Sequence, residues 1–182
     1  MSVAAMVNGV PVSVAEVDAR EAQLRGSRAA SSLPRPGTSE GRQLRRWLTQ
    51  LLVTERVVAA EATARGLTAD GAPSEAELLP NVTVRLEIGS VAASVLADPL
   101  ARALFASITE AVDVTDDAVA AYQARNPMRF ADRAEVADHL RAAARRRAFR
   151  LWLDARCAAL VELAPGYEHP GDPRQPDNTH RH

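Results

Sequence analysis

The chain has 182 residues, 47% of them hydrophobic but only 4% aromatic, and a formal net charge of −1 at pH 7. That length suits one domain or one domain with appendages, and an apolar share carried largely by alanine favours closely packed helices over a sheet of β-branched side chains. The near-zero charge gives no global attraction to nucleic acid or an anionic membrane, and because all 22 basic residues are arginine a lysine Schiff base and a P-loop lysine are excluded.

Val7-Asn8-Gly9-Val10-Pro11-Val12 is a short apolar stretch around an Asn-Gly turn, which predicts a small hairpin or an extended arm. Ser13 precedes Glu16 by the spacing of a capping box, and Val14 and Val17 open a helix that runs to about Arg25, where Gly26 ends it. Residues 28–41 are rich in Ser, Pro and Gly, with Pro34 and Pro36, and read as a loop. Arg42 to Arg65 carries Leu44, Trp47, Leu48, Leu51, Leu52 and Val58 at helical spacing, with Gly66 as its stop. Ser74 and Glu77 repeat the capping-box pair ahead of a short helix broken near Pro80.

Residues 81–89 alternate apolar and polar side chains like a strand, yet their helical neighbours favour a helix. Val91–Leu96 and Leu100–Val112 read as helix around Asp98-Pro99. Thr115 caps a helix whose first turn holds Asp116 and Asp117, which suits the positive end of the helix dipole, and Asn126-Pro127 ends it. Residues 133–163 form the longest predicted helix. One apolar stripe is Val136, Leu140, Ala144, Ala148 and Leu151; a second is Phe149, Leu153, Cys157 and Val161, and a helix apolar on two sides is usually buried between partners. Pro165-Gly166 stops it. The fold class expected is therefore mainly α, a single helical domain over 1–164 with a short N-terminal hairpin, followed by a polar Pro/His-rich tail over 165–182 that reads as extended or disordered.

The first fourteen residues show neither a basic n-region nor an apolar h-region, and no apolar run approaches the roughly 18 residues of a membrane span, which predicts a cytoplasmic protein with no membrane partner.

Three segments in order carry a family resemblance. Val7-Asn8-Gly9-Val10-Pro11-Val12-Ser13 with Val17 is similar to the opening of the N-terminal domain of SurA-type parvulin chaperones. Residues 51–58 with Glu61-Ala62 and Gly66-Leu67 resemble a later helix of that domain. Val114-Thr115-Asp116-Asp117-Ala118-Val119 with Tyr122, Asn126 and Phe130 resembles the element that leads into their prolyl isomerase domain. Here Phe130 is followed almost at once by the long terminal helix, which resembles the element that follows the isomerase domain and returns to the N-terminal one. The parvulin histidine motif is absent, so the resemblance implies the helical chaperone part without prolyl isomerase activity.

No catalytic residue is assigned. Cys157 as a nucleophile has no base on its own helix, since His139 lies several turns away, and free cysteines usually serve as small buried hydrophobes. No Gly-x-Ser-x-Gly elbow is present. His169, His180 and His182, with Asp172 and Asp177 between them, are the metal-like set, set against a solvated tail or a peptide that docks on a partner. Arg141, Arg145, Arg146, Arg147 and Arg150 are a phosphate-contacting run or, more commonly, a solvated helix face. Trp47, Leu51, Phe105, Tyr122, Phe149 and Trp152 are candidates for a groove or for the core. The leading expectation is a non-catalytic chaperone or adaptor that takes an apolar segment of a client protein or partner enzyme, without cofactor. The alternatives are a tailoring enzyme of isomerase or cyclase type acting on a carrier-bound chain, and a structural subunit that forms a homo-oligomer through the long helix.

Overall fold

The computed structural model describes residues 1–178. Among them are eight α-helices and a three-stranded antiparallel sheet, so the mainly helical class holds. The chain packs as two compact units, one made of Met1–Ala60 with the chain from Arg156 onward, the other of Glu61–Ala155.

In the first unit, β1 (Val3–Val7) and β2 (Val10–Ser13) form the hairpin. Asn8 and Gly9 both have positive φ, 48° and 79°, as a two-residue turn matched to the strand twist requires. Ser13 then caps α1 (Val14–Arg25) through the full capping box with Glu16. The loop that follows holds a single 3-10 turn, Ala30–Ser32, and α2 spans Ser39–Ala64. It starts three residues ahead of the expected Arg42 because the Thr38 hydroxyl accepts the Gly41 amide at 3.0 Å, which makes Thr38 the N-cap. Gly41 has to be glycine, since a Cβ there would overlap the Arg35 carbonyl.

The helix expected to reach Leu163 ends earlier. After α8 (Arg133–Leu160), residues Val161–Leu163 form β3, which pairs antiparallel with β1 through Ala5 with Leu163 and Val7 with Val161. The Asn8 amide donates to the Leu160 carbonyl at 2.8 Å, and the Ala164 amide to the Ala4 carbonyl at 2.9 Å. Backbone groups along β1 thus find partners on both sides, which outweighs one further helical turn. The inner face of this sheet packs Ala5, Val7 and Val12 on Val53 and Val57 of α2, with Cys157 and Leu160 beside them. A second cluster joins Ala4, Val17 and Leu48 to Leu44, Trp47 and Tyr167. Arg20 forks onto Glu55 at 3.0 and 2.7 Å, and Arg45 meets Glu21 and Asp18 at 2.7 and 2.6 Å, so α1 is clamped to α2 by charge as well as by apolar contact.

In the second unit α2 stops at Gly66 (φ 64°). The Leu67 and Gly66 amides donate to the Ala62 and Thr63 carbonyls, the double bond of a Schellman stop. Then come α3 (Glu75–Leu78), α4 (Val82–Ile88), α5 (Ser90–Val95), α6 (Pro99–Thr109) and α7 (Asp116–Arg125). Ser74, Asn81, Asp98 and Thr115 each accept an N-terminal amide of the helix they precede. The alternating stretch 82–88 is helical: Val84 and Ile88, one turn apart, are buried, whereas Val82 and Leu86 face solvent. A strand would have placed all four on one face.

Phe149 of α8 is fully buried, with Phe105 at a ring separation of 5.0 Å and Trp152 stacked on it at 5.8 Å. Leu153 is buried alongside, but Leu151, read as part of an inward stripe, is exposed. It lies two residues from both Phe149 and Leu153, roughly 200° around the helix from each. Between α4 and α5, Gly89 has φ 93° and ψ 151°, a region closed to other residues, and a Cβ there would overlap the Arg150 guanidinium, which donates to the Ile88 carbonyl.

Two substitutions test this packing by chemical denaturation. Phe149→Ala is expected to lower the unfolding free energy by about 3–5 kcal/mol through the cavity it leaves. Gly89→Ala is expected to cost about 1–3 kcal/mol from backbone strain alone; a loss near zero for either contradicts the arrangement described.

Candidate functional site

The second unit contains an open cleft of about 980 Å³. One rim is the segment 66–73 after the Gly66 stop, continued by Glu77 and Leu78 of α3; the walls come from α6 and α8. Small side chains make the room. Ala103, Ala106 and Ser107 on α6 and Ala142 on α8 line it, with Leu67, Pro73 and Leu78 as apolar surface and the buried Phe105 as its one aromatic lining residue. The rim is held by Arg102, whose Nε donates to the Pro73 carbonyl at 2.8 Å while Nη1 reaches the Leu96 and Ala97 carbonyls at 3.0 and 2.8 Å. Thr109 is buried with its hydroxyl on the Phe105 carbonyl at 2.8 Å, which fixes the end of α6 behind the cleft.

Its charges are unequal in setting. Asp70, Glu77 and Glu110 line the cleft from exposed positions, and the Glu77 carboxyl is held below its ordinary range by the Ser74 amide. Arg145 and Arg146 line it half-buried. Arg145 Nε donates to the Val112 carbonyl and Arg146 Nη1 to the Leu78 carbonyl, both at a long 3.4 Å. Among the described residues no carboxylate comes within ion-pair distance of either. Burial lowers the proton affinity of the Arg146 guanidinium, partly offset by Glu87; that cost falls when a hydrogen-bond acceptor moves in.

The basic run is thus divided by its partners. Arg141 pairs with Asp113 at 2.9 Å and Asp138 at 2.8 Å, and Arg150 with Asp154 at 3.0 Å, while Arg145 and Arg146 face the cleft. Of the groove or core candidates, Phe105 is buried and lines the cleft, and Phe149 is buried in the same unit with the half-buried Trp152 stacked on it. Trp47 and Leu51 belong to the first unit, the former half-buried against the Ala4, Val17 and Leu48 cluster and the latter buried. Cys157, also there, is half-buried, 3.9 Å from the Thr54 hydroxyl. Arg102, residues 68–73 and the alanines were not singled out in the sequence; Gly71 and Pro73 are the local signal that a shaped turn follows Gly66.

Tyr122 joins a separate cluster. Its hydroxyl accepts from Arg129 at 2.8 Å and lies 3.4 Å from His139 Nε2. Phe130 packs 5.0 Å from the His139 ring, with the Arg129 guanidinium over the Phe130 ring at 5.4 Å. Among the described residues no three potential ligands converge as a metal site. His169 is exposed and accepts the Gly171 amide at 2.9 Å; His180 and His182 lie outside the described residues. Among the described residues no helix is long and apolar enough to cross a membrane.

The model of a family of unknown function, DUF7158, matches residues 3–40. That stretch holds the hairpin, α1, the loop after it and the start of α2, and none of the cleft. No curated protein and no solved structure is significantly similar to the chain.

His139 supplies a pH prediction. Burial, then Arg129 and Arg146, push its proton affinity below the ordinary value of 6.5, with Glu87 opposing. The unfolded chain therefore takes up this proton first, so stability is lost as pH falls below about 6.5 toward the folded value. Thermal melts across this range are expected to show a smaller drop for His139→Gln than for the native chain; identical slopes contradict the assignment.

Proposed function

We propose that this chain is a non-catalytic cytoplasmic chaperone or adaptor, similar to the helical part of SurA-type parvulins, that holds a segment of a client protein in the cleft of the second unit. The observation that carries this reading is the composition of the cleft. It offers aliphatic surface at Leu67, Pro73 and Leu78, backed by the buried Phe105, beside two arginines whose hydrogen bonds among the described residues are long ones to backbone carbonyls. A polypeptide segment presents the same two chemistries, an apolar side chain and peptide carbonyl oxygens. The guanidinium groups already contact carbonyls of their own chain, and a client backbone supplies equivalent acceptors.

The resemblance supports the same reading in the first unit. There the strand that follows α8 returns to the N-terminal hairpin, in keeping with the terminal element of those chaperones. An open cleft with charge at its edge favours moderate affinity for many segments over tight selection of one, because affinity follows fit and preorganisation more than area.

Ala106 is exposed and lines the cleft, so Ala106→Trp fills it from a position that carries no core packing. The native chain is expected to slow aggregation of a chemically unfolded test protein at equimolar ratio. Ala106→Trp and the double variant Arg145→Gln with Arg146→Gln are expected to weaken client binding roughly ten-fold, a change of about 1.4 kcal/mol, with melting temperatures near native. Full activity in both variants, or none in the native chain, overturns the proposal.

A further inference from the structure

The tail read as extended or disordered is folded onto α2 in the first unit. Tyr167, Asp172 and Gln175 close successive backbone turns onto Ala164, His169 and Asp172. The end of the described chain is then seated by charge. Asp177 receives Arg42 at 2.9 and 2.6 Å and Arg46 at 2.9 Å. Arg46 also donates to the Gln175 side chain at 3.3 Å, and Gln43 to the Pro170 carbonyl at 3.3 Å. Arg46 is only 5% exposed, a charge that is costly to bury without such a partner. The seat is nevertheless incompletely used. Gln43 Oε1, Arg46 Nε and Gln50 Nε2 are buried and meet no hydrogen-bond partner among the described residues. Positions 43, 46 and 50 fall on one face of α2, so the unused donors and acceptor share a surface.

We infer that the α2 face formed by Arg42, Gln43, Arg46 and Gln50 is a docking site for an acidic peptide segment of a partner protein, and that residues 167–177 are its resident, imperfect occupant. The partner segment presents one carboxylate to the Arg42–Arg46 fork and side-chain or backbone amide groups to Gln43 and Gln50, filling the bonds the tail leaves unmade. Because the tail is tethered, it competes at an effective concentration in the millimolar range, and the site opens to a partner that outcompetes it or when the tail is released.

The probe is a fluorescent synthetic peptide with the sequence of residues 165–178, titrated into full-length chain by anisotropy. Asp177→Asn frees the seat without altering it, and is expected to bind the peptide at least about ten-fold tighter than the native chain. The peptide with asparagine at the position of Asp177 is expected not to bind. Arg42 is half-exposed at its side chain, so Arg42→Gln keeps the fold and provides the second reading: combined with Asp177→Asn it is expected to abolish binding. Equal affinity of the native and Asp177→Asn chains, no binding by Asp177→Asn, or undiminished binding after Arg42→Gln overturns the inference.

Discussion

Guanidinium groups placed on backbone carbonyl oxygens are the interaction on which the rest of this structure depends. Helix ends and loops leave carbonyls that no helical amide reaches, and a chain without lysine meets them with arginine. Arg25 donates to the Pro34 carbonyl, Arg56 to that of Pro11, Arg102 to those of Pro73, Leu96 and Ala97, and Arg150 to that of Ile88. Arg56 ties strand β2 to α2, and the others tie a loop or a helix end to the helix that carries the arginine. The planar fork serves this role better than an ammonium because one side chain can engage two or three acceptors in fixed geometry. Arg102 shows the consequence for the cleft: one residue on α6 holds both the rim at Pro73 and the turn at Leu96–Ala97, so the opening has a defined edge.

The same chemistry separates arginines that are occupied from those in reserve. Arg102 makes three bonds of 2.8–3.0 Å, whereas Arg145 and Arg146 each reach one carbonyl at 3.4 Å. A half-buried guanidinium with so few partners among the described residues gains from a carbonyl-rich ligand what Arg102 already has from its own chain. In the first unit the balance is reached differently. Arg42 and Arg46 converge on Asp177, a carboxylate held well below its ordinary range first by Arg42, and among the described residues the neighbouring Gln43 Oε1 and Gln50 Nε2 meet no partner.

What was legible in the sequence is what is local. Asn8-Gly9, the Ser13–Glu16 and Ser74–Glu77 boxes, Thr115 and Gly66 each act within a few residues of themselves, and each marks a boundary where its chemistry requires one. Val161-Glu162-Leu163 continues a helical stripe and has no turn residue before it; its strand state is set by the free edge of β1, more than 150 residues away in the chain. The stretch 82–88 satisfied two periods at once, and the burial of Val84 and Ile88 decided between them. The cleft was hidden because alanine reads as helix propensity; only when Ala103, Ala106 and Ala142 come together from two helices does small size become space. The docked tail depends on Asp177 meeting Arg42 and Arg46 across 135 and 131 residues, a pairing no spacing rule reports.

The most direct test of the central claim is amide hydrogen exchange of the full chain with and without a saturating unfolded client. Added protection is expected at the cleft walls, residues 66–78, 103–110 and 142–146, with the exchange of the β1–β2 hairpin unchanged. Protection confined to other segments, or none while the client is demonstrably bound, would contradict it.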